Sequence, residues 1–330
     1  MSAHIETKIL PIERRLRLRA HPSMRDLLAQ VQLSEKKLIQ PIFANESIQT
    51  SSPVPFLGET AKQPIEELLV QIDKDMERGV HQFLLFNTPK KSTQLFDSSF
   101  AQKTIQKIKG RFGRDLTLWV DTCLCSLTQD GHCCLYQQDS QIDLTLTLST
   151  LSLLALEYAK AGADGISPSD MMDGRVAAIR KKLSEHGYDH IPVMSYSTKS
   201  ASSFYGPFRV AAESAPTHGD RKAYQIDPRN KTDLIASSLR CIQEGADILL
   251  IKPGLLNIDI VSELKRITQH HLGCYQVSGE YASLLALSEQ GLTEFGKAML
   301  ETWISMHRSG ADFIVTYGAR HAREWIGKYE

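Results

Sequence analysis

Two lysines stand out first. Lys199 lies just past the apolar run Ile191–Ser197, and Lys252 lies at the end of the run Asp247–Pro253. If the two runs are adjacent strands, ~4.8 Å apart, their amines can share one pocket. A free lysine has a pKa of ~10.4, so roughly one amine in 2,500 is neutral at pH 7. Only the neutral amine attacks a carbonyl, and an apolar pocket or a second cation lowers the pKa. Paired lysines are therefore a way to make one of them a Schiff-base nucleophile. The competing reading is a surface lysine or one paired with an acid. Lys252 fits it poorly, because it ends the otherwise apolar Ile-Leu-Leu-Ile-Lys (248–252).

The six cysteines are Cys123, Cys125, Cys133, Cys134, Cys241 and Cys274, and four of them fall within residues 123–134. The N-terminal stretch lacks the apolar core of a secretory signal, which points to a reducing compartment, the cytoplasm. There, clustered cysteines favour a metal site over a disulfide framework. Cys123 and Cys125 alternate off a strand end, and the loop returns Cys133 eight residues later. Three thiolates can hold Zn²⁺ and leave a fourth position for water or substrate. That arrangement polarises a carbonyl or supplies hydroxide. Cys134 and His132 stand as alternative ligands, and small buried thiols are the bland alternative. Cys241 and Cys274 read as core.

Between the two lysines runs Ser200–Gln225, long for a strand–helix connection and carrying Tyr205, Phe208, Arg209, Arg221 and Gln225. A loop of this size over a barrel mouth reads as a lid. Its arginines suit a carboxylate through forked hydrogen bonds.

The elements that must position these residues are short apolar runs alternating with helix-length amphipathic stretches. The runs are Leu38–Phe43, Gln82–Phe86, Leu116–Asp121, Asp164–Ser169, Ile191–Ser197, Asp247–Pro253, Cys274–Ser278 and Asp312–Tyr317. Their continuous apolar character fits parallel strands buried on both faces. Gly-Ala-Asp recurs at 162–164, 245–247 and 310–312, each a helix-to-strand turn with a left-handed glycine. Eight such units predict an α/β fold, a (β/α)8 TIM barrel over residues 36–330, rather than an open doubly wound sheet. Residues 1–35 read as an N-terminal arm packing on a neighbouring subunit. In this fold the site lies at the C-terminal strand ends. There fall Asp121, the cysteines, Ser169, Asp170, Lys199, Lys252, Ser278, Glu280 and Tyr317.

Composition narrows the function classes. With 38 basic and 38 acidic residues the formal net charge is zero, which disfavours a nucleic-acid or membrane-surface partner. No apolar run approaches the ~20 residues that span a bilayer.

Several motifs together resemble the porphobilinogen synthase (5-aminolevulinate dehydratase) family. They are PSDMMDGRVAAIR (168–180), MSYSTKSASSFYGPFRVAAESAP (194–216), GDRKAYQIDP (219–228), EGADILLIKPG (244–254) and YQVSGEYA (275–282). The resemblance runs from about Arg14 to Trp325. It implies a lyase that condenses two 5-aminolevulinate molecules to porphobilinogen, with loss of two waters, in tetrapyrrole and heme synthesis. It implies that Lys252 forms the Schiff base with the first substrate and Lys199 engages the second. Ser278 and Tyr317 would hold the first carboxylate; Arg209, Arg221 and Gln225 the second. Asp121 and Ser169 would lie near the substrate amino group, with Tyr205 also in the substrate pocket. Cys123, Cys125 and Cys133 match the zinc-binding branch. The family commonly assembles as a homo-octamer. Arg240 stands where, in some members, a guanidinium replaces an allosteric Mg²⁺, which implies that this chain needs none.

The chain departs from the family pattern at PVPFLGETAKQP (53–64), at Gln129-Asp130 and at QQDSQIDLTLTLST (137–150). Two other functions compete with this reading. A Schiff-base aldolase needs one lysine and no cysteine trio, and a silent paralogue would be expected to lose Lys252 or the cysteines first.

Overall fold

The computed structural model describes residues 15–90, 96–138, 141–214, 216–217 and 219–329. The chain comprises two compact units, Met1–Gln32 and Leu33–Glu330. Of the expected arm, residues 1–14 lie outside the described residues. The rest of the first unit holds a 3₁₀ turn, Arg15–Leu18, and a short helix, Pro22–Leu28, with no buried residue in the helix.

The second unit is built on ten strands: β1 (Leu38–Asn45), β2 (Ser52–Pro53), β3 (Ala61–Gln63), β4 (Gln82–Thr88), β5 (Thr117–Thr122), β6 (Gly165–Pro168), β7 (Met194–Lys199), β8 (Ile248–Lys252), β9 (His271–Tyr275) and β10 (Phe313–Val315). Eight form a parallel barrel in the order β6-β5-β4-β1-β10-β9-β8-β7. A single parallel bridge, Ile166 to Val193, closes β6 against β7. Ile166 N donates to Pro192 O at 3.0 Å and Ser167 Oγ to Met194 O at 2.9 Å across this seam. The strands are nearly all buried, as continuous apolar runs in a helix-covered barrel should be. The unusual segment 53–64 forms the antiparallel hairpin β2–β3, whose second strand extends the sheet beside β1.

The Gly-Ala-Asp turns form as expected, with Gly162, Gly245 and Gly310 at φ of 103°, 94° and 117°. Their aspartates do more than the sequence reading assigned. Asp164 Oδ2 accepts from Leu118 N at 2.8 Å, Asp247 Oδ2 from Val193 N at 2.7 Å and Asp312 Oδ2 from Leu272 N at 2.8 Å. Each carboxylate also pairs with a cation, respectively Lys109, Arg180 and Lys265. Three copies of one staple thus set strand register at the barrel's N-terminal end.

Helices Ile65–Glu77, Leu144–Ala161, Arg175–Ser184, Lys231–Gln243 and Ile258–Ile267 follow the first, third, fourth, fifth and sixth barrel strands. Asp143 Oδ1 caps the second of these by accepting from Leu146 N at 2.9 Å. Ser99–Phe112 and Phe295–Arg308 complete the ring. The expected strand endings at Ser278 and Tyr317 shift. Ser278 opens the helix Ser278–Glu289, and Tyr317 follows the end of β10.

Candidate active site

Lys199 and Lys252 end β7 and β8 and stand opposite each other in register. Both are buried, at 5% and 4% exposure. Lys199 Nζ donates to the Ser169 carbonyl, which links β7 to the loop after β6. Lys252 Nζ sits within four rings, 4.3 Å from the centroid of Tyr275, 4.6 Å from Phe208, 5.2 Å from Tyr196 and 5.3 Å from Tyr205. Burial is the main force lowering the Lys252 pKa, and the Lys199 charge adds to it. Together they overcome the opposing pull of Asp121 and bring the value to about 7. Aromatic faces favour an ammonium, so desolvation wins in this pocket. Burial likewise pushes the Asp121 carboxyl up to about 6 against the pull of Lys199.

Tyr196 was not singled out by the sequence, although it lies three residues before Lys199. Regular strand alternation would place the two on opposite faces. A register shift between Ser195 and Thr198 breaks the alternation, and the Lys199 amine lies 5.6 Å from the Tyr196 ring centroid.

The other expected residues gather around this pair. Tyr205 Oη donates to Ser200 O at 2.6 Å and lies 3.3 Å from Lys252 O, joining the ends of both lysine strands. Tyr317 Oη is 3.3 Å from Tyr275 Oη. Ser278 Oγ accepts from Phe208 N at 3.0 Å and donates to Phe204 O at 3.2 Å. Phe208 itself packs between Phe43 and Phe86, with centroids at 6.0 and 5.0 Å. The start of the Ser200–Gln225 segment therefore covers Lys252.

Arg209, Arg221 and Gln225 line one cavity of about 660 Å³ with Ser202 and Ser203. Arg209 Nε, Arg221 Nε and Gln225 Nε2 are buried without a partner among the described residues. Such groups ordinarily find one, so they suit a bound anion.

Cys123, Cys125 and Cys133 meet with their sulfurs within 4.8 Å of one another, all buried and free of disulfides. Thiol hydrogen bonds from Cys123 and Cys125 hold the Cys133 pKa well below the usual thiol value. Burial alone would lower the Arg221 pKa; the sulfurs of Cys133, Cys125 and Cys123 outweigh it and raise the value. A buried trio of soft donors beside a cation can hold a metal ion. Cys134 and His132 lie outside the trio. His132 Nδ1 is 3.0 Å from Tyr224 Oη and 3.2 Å from Tyr136 Oη. Cys241 and Cys274 are fully buried in the core, as expected.

Two buried acids support the site without facing it. Asp170 and Arg175, both fully buried, approach to 3.7 Å, and Arg175 donates to Tyr196 O at 2.8 Å. Glu280 accepts from Leu255 N at 2.9 Å and from Val277 N at 2.8 Å, which ties the loop after β8 to the end of β9.

Comparisons with known proteins give the family of the chain. The delta-aminolevulinic acid dehydratase family model matches residues 12–325. A delta-aminolevulinic acid dehydratase of Halalkalibacterium halodurans is 38% identical over 324 residues, covering 97% of this chain and 98% of that protein. One of Bacillus subtilis is 38% identical over 320 residues, covering 96% and 98%. The crystal structure of the Toxoplasma gondii delta-aminolevulinic acid dehydratase (porphobilinogen synthase), in complex with its reaction product porphobilinogen, superposes with a TM-score of 0.91. It shares 34% identity, over 96% of this chain and 92% of that one. Profile, full-length relatives and barrel together place the chain in the delta-aminolevulinic acid dehydratase family, a family of hydro-lyases.

Proposed function

We propose that the chain condenses two molecules of 5-aminolevulinate into porphobilinogen and two waters, with Lys252 as the nucleophile. The observation that carries the assignment of roles is the register pairing of Lys199 with a buried Lys252 whose pKa is about 7. At that value about half the amines are neutral at pH 7. The neutral Lys252 amine attacks the keto carbon of the first substrate. A carbon–nitrogen bond forms, the keto oxygen leaves as water with one amine hydrogen and one proton from solvent, and the iminium that remains is cationic. The faces of Tyr275 and Phe208 favour that cation.

Ser278 and Tyr317 receive the first carboxylate, which requires Ser278 Oγ to exchange its bonds with Phe208 and Phe204. Arg209, Arg221 and Gln225 receive the second carboxylate through their unpartnered nitrogens. Lys199 engages the second substrate. Asp121 and Ser169 lie toward the substrate amino group, and Tyr205 walls the pocket.

Cys123, Cys125 and Cys133 fit Zn²⁺, since three buried thiolates leave a fourth position open. Bound there, zinc supplies Lewis-acid polarisation of the second substrate. Arg240 pairs with Asp173 at 2.9 Å and Glu244 at 3.5 Å, which supports activity without an allosteric Mg²⁺. Leu16 and Leu27 in the first unit are exposed, at 71% and 75%, which supports an arm that docks on a second copy in a homo-octamer. The reducing environment that free cysteines need fits the cytoplasm.

The test is borohydride trapping with 5-aminolevulinate, adduct mapping by mass spectrometry and a parallel assay for porphobilinogen. An adduct on Lys252, with turnover lost to a chelator and restored by zinc alone, is expected. An adduct elsewhere overturns the nucleophile. Turnover in fully metal-free protein overturns the zinc assignment. Recovery that requires Mg²⁺ overturns the role of Arg240.

A further inference from the structure

The cysteine loop and the later part of the Ser200–Gln225 segment are separate in sequence but bonded to one another. Thr217 N donates to Asp130 O at 2.9 Å. Arg221 Nη2 donates to Gly131 O at 2.8 Å and also to Ser214 O. Cys133 N donates to Tyr224 Oη at 3.3 Å, and the same hydroxyl lies 3.0 Å from His132 Nδ1. A hydroxyl that accepts from Cys133 has its own proton to give to the His132 ring nitrogen. The Tyr224 side chain packs against the cluster of Cys123, Cys125 and Cys133. One phenol therefore touches the backbone of one sulfur-bearing residue, the neighbouring imidazole and the cysteine cluster, while it belongs to the segment that carries Arg221 and Gln225.

We propose that Tyr224 is a positioning residue that couples metal binding at Cys123, Cys125 and Cys133 to the order of the carboxylate-binding segment. The proposal rests on the metal assignment above. Placing the sulfurs around an ion fixes the backbone of Cys133, hence its N–H, hence the Tyr224 hydroxyl that N–H bonds. Fixing Tyr224 holds Arg221 and Gln225, three residues and one residue from it along the loop, in the cavity. Coupling of this kind is reciprocal. A carboxylate held by that segment tightens metal binding by the factor by which metal tightens the carboxylate.

The test uses the full-length protein and Co²⁺ alone, whose bonds to thiolates absorb in the near ultraviolet. Cobalt affinity is measured by chelator competition, and hydrogen exchange is followed in peptides spanning 219–226, in wild type and in Tyr224→Phe. In wild type, cobalt slows exchange of that segment. The phenylalanine variant keeps the ring against the cysteine cluster and loses the hydroxyl. It is expected to show the same absorption band, which reports an intact site, with affinity weaker by about fivefold, the usual worth of one hydrogen bond. Cobalt should no longer slow exchange of the segment in the variant. Equal affinity and equal cobalt-dependent protection in the two proteins overturn the coupling alone. A wild-type protein without the thiolate–cobalt band overturns the metal assignment and the coupling with it.

Discussion

Replacing Lys199 with methionine isolates what one amine does to the other. Both amines lie over the Tyr196 ring, at 5.6 and 5.2 Å from its centroid, so they are at most about 11 Å apart. At an effective dielectric of ~20, two unit charges at that distance repel by about 1.5 kcal/mol, or about one pKa unit. Burial, the larger cause of the depressed value, stays in place. Lys252 in Lys199→Met should therefore titrate at least about one unit above the native value of about 7. The neutral fraction at pH 7 falls from about half to about a tenth, and imine formation slows about fivefold. The assay measures the rate of the borohydride-trapped adduct of Lys252 with levulinate, a keto acid without the amino group, from pH 5.5 to 9.5. The variant should lag at pH 7 and reach the wild-type rate by about pH 9. A midpoint that stays put or falls in Lys199→Met refutes the charge argument. A wild-type midpoint near 10 refutes the burial argument as well.

The same burial has a cost in stability. Because the folded pKa of Lys252 is depressed, the unfolded chain binds more protons between about 7 and 10.5. Stability therefore falls as pH drops through that window, and the penalty is complete below about 7. Lys252→Met should gain on the order of 3–5 kcal/mol at pH 6–7 and almost nothing above pH 10.5, measured by urea unfolding; an equal gain at both pH values contradicts this. Arg175→Leu should lose ~3–5 kcal/mol, because Asp170 is left buried without its partner. Adding Asp170→Asn to it should recover part of that loss, and a fully additive double variant would show that the pair does not interact.

Much of this site could be read from the chain because its parts are local or periodic. Apolar runs gave the barrel strands within a few residues. The glycine of each Gly-Ala-Asp turn announced its left-handed conformation. The lysines and the cysteine trio were visible because each lies at a strand end or in one short loop. What escaped depends on contacts between distant segments. The register shift in β7 that brings Tyr196 under both amines leaves no local signal in Ser-Tyr-Ser-Thr. Phe208 covers Lys252 only because Phe43 and Phe86, from other strands, make a socket for it. His132 reads by spacing as a possible ligand, and nothing in that spacing shows that Tyr224, 92 residues away, and Tyr136 meet at its Nδ1. The aspartates of the repeated turns could be seen, but the strand amides they staple could not.

The weakly paired seam between β6 and β7 has a kinetic consequence. On one side of it, β5 and β6 lead into Asp121, the cysteines and Ser169; on the other, β7 and β8 end in the two lysines. Every other neighbouring pair of barrel strands pairs at two or more positions, whereas this pair has one bridge and a few further links, among them Lys199 to the Ser169 carbonyl. With the other seven pairings made and this seam open, the two lysines and the cysteine trio would stand on opposite banks. Local opening here would therefore part the residues proposed for catalysis while leaving the helices and the core in place.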